Sequence, residues 1–187
     1  MADSKSDSII NEHFATKVDD NPLWQYACQV YSQAGMEAAL LNLQDAHGAD
    51  INLILHALWL ASKGIEWTSE CIPADYEKWV AEQVIPIRTM RRRLKTDWVE
   101  LRDVAYENFR QQVKALELKA EQYALAMLYQ QACSALEKEQ ITASWVLDTL
   151  GIQDTKAVQR KSHQNLIHLA EYCSIPVGVL LTLLTIN

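Results

Sequence analysis

Turn-forming residues are scarce in this 187-residue chain, which has five glycines and four prolines. An all-β sandwich or barrel needs many more turns, so that class is set aside. Cysteine is also sparse. Cys28, Cys71, Cys133 and Cys173 form no CxxC or CxxH pair, so neither a disulfide framework nor a zinc site is indicated. No apolar run reaches the ~20 residues of a membrane span. The longest are Ile51–Ala61, interrupted by Asn52 and His56, and Val177–Ile186. Residues 1–20 lack the apolar centre of a signal peptide. No GxSxG, P-loop or GxGxxG motif occurs, and His163 and His168 are five apart rather than the four of a helical metal pair. The composition therefore predicts a cytoplasmic protein with no metal, no cofactor and no catalytic motif.

What is present is apolar and charged in ordinary globular proportion, 49% and 22%. The net charge of −7 is unevenly spread. Residues 86–102 carry six basic and two acidic groups, while the segments on either side are net acidic. A field of that overall sign repels phosphate, which disfavours DNA and general nucleic-acid binding but leaves room for one anion site or an acidic partner.

Periodicity predicts an all-α, single-domain helical bundle over 21–187, preceded by a flexible tail, 1–20. Asn21-Pro22 reads as an N-cap and first helical residue, with Leu23, Trp24, Ala27, Val30 and Tyr31 at helical spacing and Gly35 as the stop. A second helix is expected over Met36–Asp45, closed by His47-Gly48. A third, Ile51–Lys63, is capped by Asp50, ended by Gly64 and apolar nearly all round, which marks it as the buried centre. A fourth is expected from Pro73 to Val84, with Pro86 breaking or kinking the chain. From Pro86 to Gly151 there is neither glycine nor proline. One helix across that stretch would exceed a compact domain, so a break is expected near Leu116–Gln122. Helices are then expected near Gln122–Lys138, Ala143–Leu150 and Asp154–Cys173, with the form of Val177–Ile186 open. Ile87, Met90, Leu94, Trp98 and Leu101 form an apolar stripe that Ala105, Phe109 and Leu116 extend.

Two clusters carry candidate chemistry. Arg88, Arg91, Arg92 and Lys95 fall at i, i+3, i+4 and i+7 and make one basic helix face. The guanidinium fork suits carboxylate or phosphate. The alternative is internal pairing with Glu66, Glu70, Asp75, Glu77 or Glu82, should the chain fold back after Pro86. The second cluster is the corner Gln44–Asn52, in which Gln44, Asp45, His47 and Asn52 could hold a polar ligand. As pure structure, Asp50 caps a helix, Gly48 ends one and Asn52 fastens the corner. Six tryptophans are many for this length. Core packing accounts for most, with one or two free to line a groove.

Several of these residues also carry a resemblance. Trp24 with Tyr31, Leu43-Gln44, His47-Gly48, Asp50, Asn52-Leu53, Leu58-Trp59-Leu60 and Gly64, then Trp79, Pro86, Arg88, Arg91-Arg92-Arg93 and Leu94-Lys95, resemble an uncharacterised proteobacterial family, the domain of unknown function 2390. The resemblance covers Leu23–Lys95 and divides the chain into a family-like core, 21–100, and a variable helical extension, 101–187. The sequence departs from the family at Ala34, where proline is usual, and at His56, where an aromatic is usual. That second departure weighs against a catalytic His56. The family has no established activity. The position of such genes near an ABC-F-type ATPase in some gammaproteobacteria implies a ribosome-related or adaptor role.

Three functional expectations follow. The first is a non-enzymatic adaptor or regulator whose Arg88–Lys95 face meets an acidic protein partner or an anion. The second is an enzyme or small-molecule binder with a pocket between the Gln44–Asn52 corner and Arg88/Arg92. The third is RNA or ribosome contact through the same arginines. No membrane partner is expected.

Overall fold

The structure, a computed structural model, describes Val18 and residues 21–98, 100, 103–138 and 155–185. Among these residues the fold is all-α, with no strand. The chain begins with α1 (Pro22–Tyr31), α2 (Met36–His47) and α3 (Ile51–Ser62). After a loop come α4 (Tyr76–Trp79), a π turn (Val80–Val84) and α5 (Ile85–Thr96). The long α6 (Val104–Lys138), then α7 (Thr155–Cys173) and the short α8 (Val177–Leu181) complete the order.

The helix ends follow from local chemistry. The Asn21 side chain accepts hydrogen bonds from the Leu23 and Trp24 amides, and Pro22 occupies the first turn, where its missing N–H costs nothing. Asp50 caps α3 in the same way through the amides of Asn52 and Leu53. Gly48 ends α2 at φ 65°, a left-handed conformation that lets Ala49 N–H reach back to the Leu43 carbonyl.

α3 is the centre of the molecule. Every residue from Ile51 to Ala61 is buried, because α7, α1 and α6 pack on different sides of it. Leu125 and Leu128 of α6, Leu166 and Leu169 of α7, and Leu180 and Leu183 of the C-terminal turns share its core with Leu23, Leu40 and Trp59. One apolar core thus joins the N-terminal helices to those beyond residue 100. Asn165 of α7 fastens it: Oδ1 accepts from the Trp67 amide, and Nδ2 donates to the carbonyls of Ala57 and Ile65.

Three expectations are corrected. Pro86 does not break the chain: helical backbone runs from Tyr76 through Thr96. The wider π turn, closed by Ile85 N–H to the Val80 carbonyl, relieves the clash a proline ring makes with the carbonyl four residues earlier. The long stretch turns before α6 rather than at Leu116–Gln122. Asp103 caps α6 through the Tyr106 amide, and α6 then continues unbroken for 35 residues, about 52 Å. Thirdly, the apolar stripe of α5 is not core. α5 buries no residue, and Met90, Trp98, Phe109 and Leu116 are about half exposed. The arginines of α5 face α6 instead, and charge pairing rather than apolar burial orients the helix.

The C-terminal segment is a short helix followed by a 3₁₀ turn, Thr182–Thr185. The helix expected at Ala143–Leu150 lies outside the described residues, as does the expected tail apart from Val18, which is buried. Among the described residues no helix is long and apolar enough to cross a membrane.

Candidate functional site

α1, α2, α3 and α6 leave a cleft of about 420 Å³ between them. Its apolar lining comes from Trp24, Leu41, Ile51, Leu55, Leu118 and Leu125. Its polar lining comes from Tyr31, Glu37, Gln44, Asn52, Arg91, Lys114, Glu117 and Glu121, with the thiol of Cys28 beside them. The combination of an apolar wall and a few convergent polar groups is the usual make-up of a small-molecule site.

One wall is a chain of ion pairs built by two helices in register. Glu117 and Glu121 are one turn apart on α6, and Arg88 and Arg91 are three apart on α5. Arg88 reaches Glu121 at 2.6 Å and Glu117 at 3.2 Å. Arg91 closes on the same Glu117 through Nε and, at 3.2 Å, through a terminal nitrogen. Glu117 is buried, and two guanidinium groups together donate three hydrogen bonds to it. Burial raises the pKa of Glu121, opposed by Arg88. Burial also pulls on Arg88, but Glu121 and Glu117 outweigh it and hold the guanidinium above its ordinary value. Tyr31 feels the same surroundings: burial and then the charge of Glu121 push its hydroxyl up to about 12. Partly buried charges of this kind add little to stability, and perturbed titrating groups gather where proteins bind or react.

The structure brings some of the sequence candidates together and separates others. Gln44, Asn52 and Arg91 line the cleft. Arg88 stands behind it, clamping the two glutamates. Arg92 pairs with Asp45 on the outer surface, and His47 and Lys95 are exposed outside the lining. The internal acids are not the ones expected from Glu66–Glu82. Because the chain continues straight through Pro86, Glu66 instead faces Lys161 and His168, and Glu77 accepts from the Tyr172 hydroxyl. Sequence reasoning missed Glu37, Lys114, Glu117 and Glu121. The i, i+4 spacing of Glu117 and Glu121 was the available signal, an acidic complement to the arginine spacing.

His56 belongs to the core rather than to the cleft. It is fully buried, stacks on Trp59, and neither ring nitrogen has a hydrogen-bond partner among the described residues. Burial holds its pKa down to about 3. Of the tryptophans, Trp59 and Trp67 are core, and Trp24 lines the cleft. Trp79 lies in a second groove with Tyr123 and donates to the Ala120 carbonyl. Among the described residues no group of three or more histidine, cysteine or acidic side chains could hold a metal ion.

Fold and site together define an all-α bundle with a charged and apolar cleft on one flank of its buried central helix. The chain belongs to the family described as protein of unknown function (DUF2390), whose model matches residues 22–128. That span contains every residue that lines the cleft, and it reaches past Lys95 to include both glutamates of α6. No curated protein and no solved structure matches the chain.

Proposed function

We propose that this protein is a non-enzymatic, cytoplasmic binding protein that takes a small amphipathic ligand in the cleft between α1, α2, α3 and α6. The observation that carries the reading is that Gln44, Asn52 and Arg91, from three separate helices, line one cleft together with Trp24 and Leu41. Arg91 is distant in sequence from the Gln44–Asn52 corner, and apolar side chains line the cleft beside them. Binding is favoured over catalysis because Arg88 and Arg91 hold Glu117 and Glu121 in ion pairs, a fixed polar wall rather than an acid–base pair. The cysteines, none of them in a disulfide among the described residues, suit a reducing compartment.

The test is amide NMR of the full chain against a small-fragment library, repeated with Leu41→Trp. Leu41 lines the cleft yet is substantially exposed, so the larger ring obstructs the site without entering the core. Expected are fragment-induced shifts centred on the cleft, in residues 24–31, 37–55, around 91 and 114–125, abolished in the variant with an unchanged melting temperature. A library that shifts none of these amides, or a variant that binds as well as the parent, overturns the reading.

A second reading keeps the outer side of α5 as a partner surface. It is supported by Ile85, Met90 and Trp98, about half exposed beside the exposed Arg92 and Arg93. Capture of an acidic protein that Met90→Glu abolishes would favour this reading over the cleft. RNA contact has the least support, since Arg88, Arg91 and Arg92 all face carboxylates of this chain.

A further inference from the structure

We infer that the chain pairs with a second copy of itself, through antiparallel contact between the exposed first halves of α6. The inference is independent of the cleft, which takes Lys114, Leu118 and Leu125 from the opposite side of this helix.

The first half of α6 stands clear of the core: none of the nine residues 104–112 is buried. A helix face turned to water normally carries charge. Here one face does not. Ala105, Asn108, Phe109, Gln112, Ala115 and Leu116 are all exposed, and their spacings of three, four and seven put them on one side. The charged residues of the same stretch are Asp103, Glu107, Arg110, Lys114 and Glu117. At about 100° per residue, every one of them lies at least about 130° around the helix from the centre of that side. Phe109 and Leu116 are 47% and 56% exposed, with no charged neighbour on the face to favour water over a partner.

The spacing also says what covers this face. Ala105, Phe109, Gln112 and Leu116 follow one another by four, three and four, which is the seam of a two-stranded coiled coil. In an antiparallel pair the two kinds of seam position face each other. With Phe109 opposite Gln112 of a second copy, Leu116 falls opposite Ala105, and the two-fold axis repeats both layers. Each layer then joins a large side chain to a smaller one, so the seam fills evenly. A parallel pair would set Phe109 against Phe109 and Ala105 against Ala105, a bulge beside a gap. An uncharged face has nothing with which to select a partner by sign, and nothing that repels its own image. The same register sets the start of the second copy's α6 level with Glu117. The turn before it, which carries the half-exposed Trp98, then comes beside the groove of Trp79 and Tyr123. Phe109, Leu116 and Trp98, with the smaller side chains between them, offer roughly 600 Å² per copy and about 1,200 Å² for the pair, the low end of a specific interface.

The experiment is sedimentation velocity on the full chain from about 1 to about 200 µM. The mass should rise from 21.3 kDa toward twice that value, with the micromolar dissociation expected of a small interface. Leu116→Glu and Ala105→Lys should each weaken the dimer at least ~10-fold, because each puts an unpaired charge into two symmetric layers. An equal mixture of the two variants should recover it. In the mixed pair the new carboxylate and the new ammonium group share one layer, and its symmetry mate is native. Val104→Glu, at an exposed residue of the same helix outside the seam, should leave the dimer unchanged. All three positions are exposed, and melts at the lowest concentration confirm that each variant folds. A chain that stays monomeric throughout the range overturns the inference, as does a dimer that tolerates Leu116→Glu or is lost equally in Val104→Glu. A mixture that stays monomeric overturns the antiparallel register and the inference with it.

Discussion

Asn165 accepts a hydrogen bond from the Trp67 amide at 3.0 Å, across 98 positions of sequence. Its other end donates to the carbonyls of Ala57 and Ile65 at 3.0 and 2.9 Å. One buried side chain thereby serves the loop after α3 and the middle of α3 itself, and ties both to α7. Asn165→Leu leaves the Trp67 amide buried and the partly buried Ile65 carbonyl without this donor, and should lower stability by ~2–4 kcal/mol. Asn165→Asp should cost more at neutral pH, because it turns an anion toward two carbonyls. Urea titration at pH 7 checks both; a loss under half a kcal/mol would show that the clamp is dispensable.

His56 is expected to lower stability. Its ring is buried with no partner for either nitrogen, and a buried unpaired polar group costs ~1–3 kcal/mol. His56→Phe should therefore raise the melting temperature at pH 7.5.

The same residue sets a pH dependence. Its folded-state pKa is about 3 against an ordinary 6.5, so below pH 6.5 the unfolded chain binds a proton that the folded chain does not. Stability then falls with acid by up to ~1.4 kcal/mol per pH unit, until pH approaches 3. Melts at pH 7.5 and 5 should show a smaller loss in His56→Phe than in the parent. Equal losses would assign the acid sensitivity elsewhere.

The arginines of α5 should separate into two kinds. The Arg88 side chain is 18% exposed and holds two carboxylates, so Arg88→Lys removes a planar fork from a partly buried cluster and should cost ~1–3 kcal/mol. The Arg92 side chain is 49% exposed and pairs with an exposed Asp45, so Arg92→Lys should stay within ~0.5 kcal/mol. Denaturant midpoints of the two single variants decide it; equal costs would mean that Arg88 is not a clamp.

Val18 lies in the segment that the sequence presents as a tail, yet it is buried. Val18→Ala should cost ~1–2 kcal/mol, from the lost methyl groups and the space they leave. A neutral result in thermal melts would show that this contact adds nothing.

Features that depend on a few neighbouring residues were legible in the sequence. Asn21-Pro22, Asp50 and Gly48 start and stop helices because a cap forms within four residues. The burial of α3 could be read because a helix that is apolar all round has no side to give to water. The spacing of Arg88 and Arg91 was legible as one face, and so was the corner that holds Gln44 and Asn52. The partners of that face were not. Glu117 and Glu121 meet it only because the chain passes straight through Pro86, turns near residue 100 and returns as α6. A proline read alone signals a break, and a π turn that absorbs it depends on how neighbouring helices pack. The same return path decided that the stripe containing Met90 and Trp98 faces outward, since an amphipathic pattern names two faces but not which one meets the rest of the protein. Sequence determined the helices and the residue types at the cleft. Tertiary structure alone decided which charges were matched within the protein and left Lys114 and Glu37 at the cleft without an ion pair among the described residues, because Coulomb pairing depends on distance in space and not along the chain.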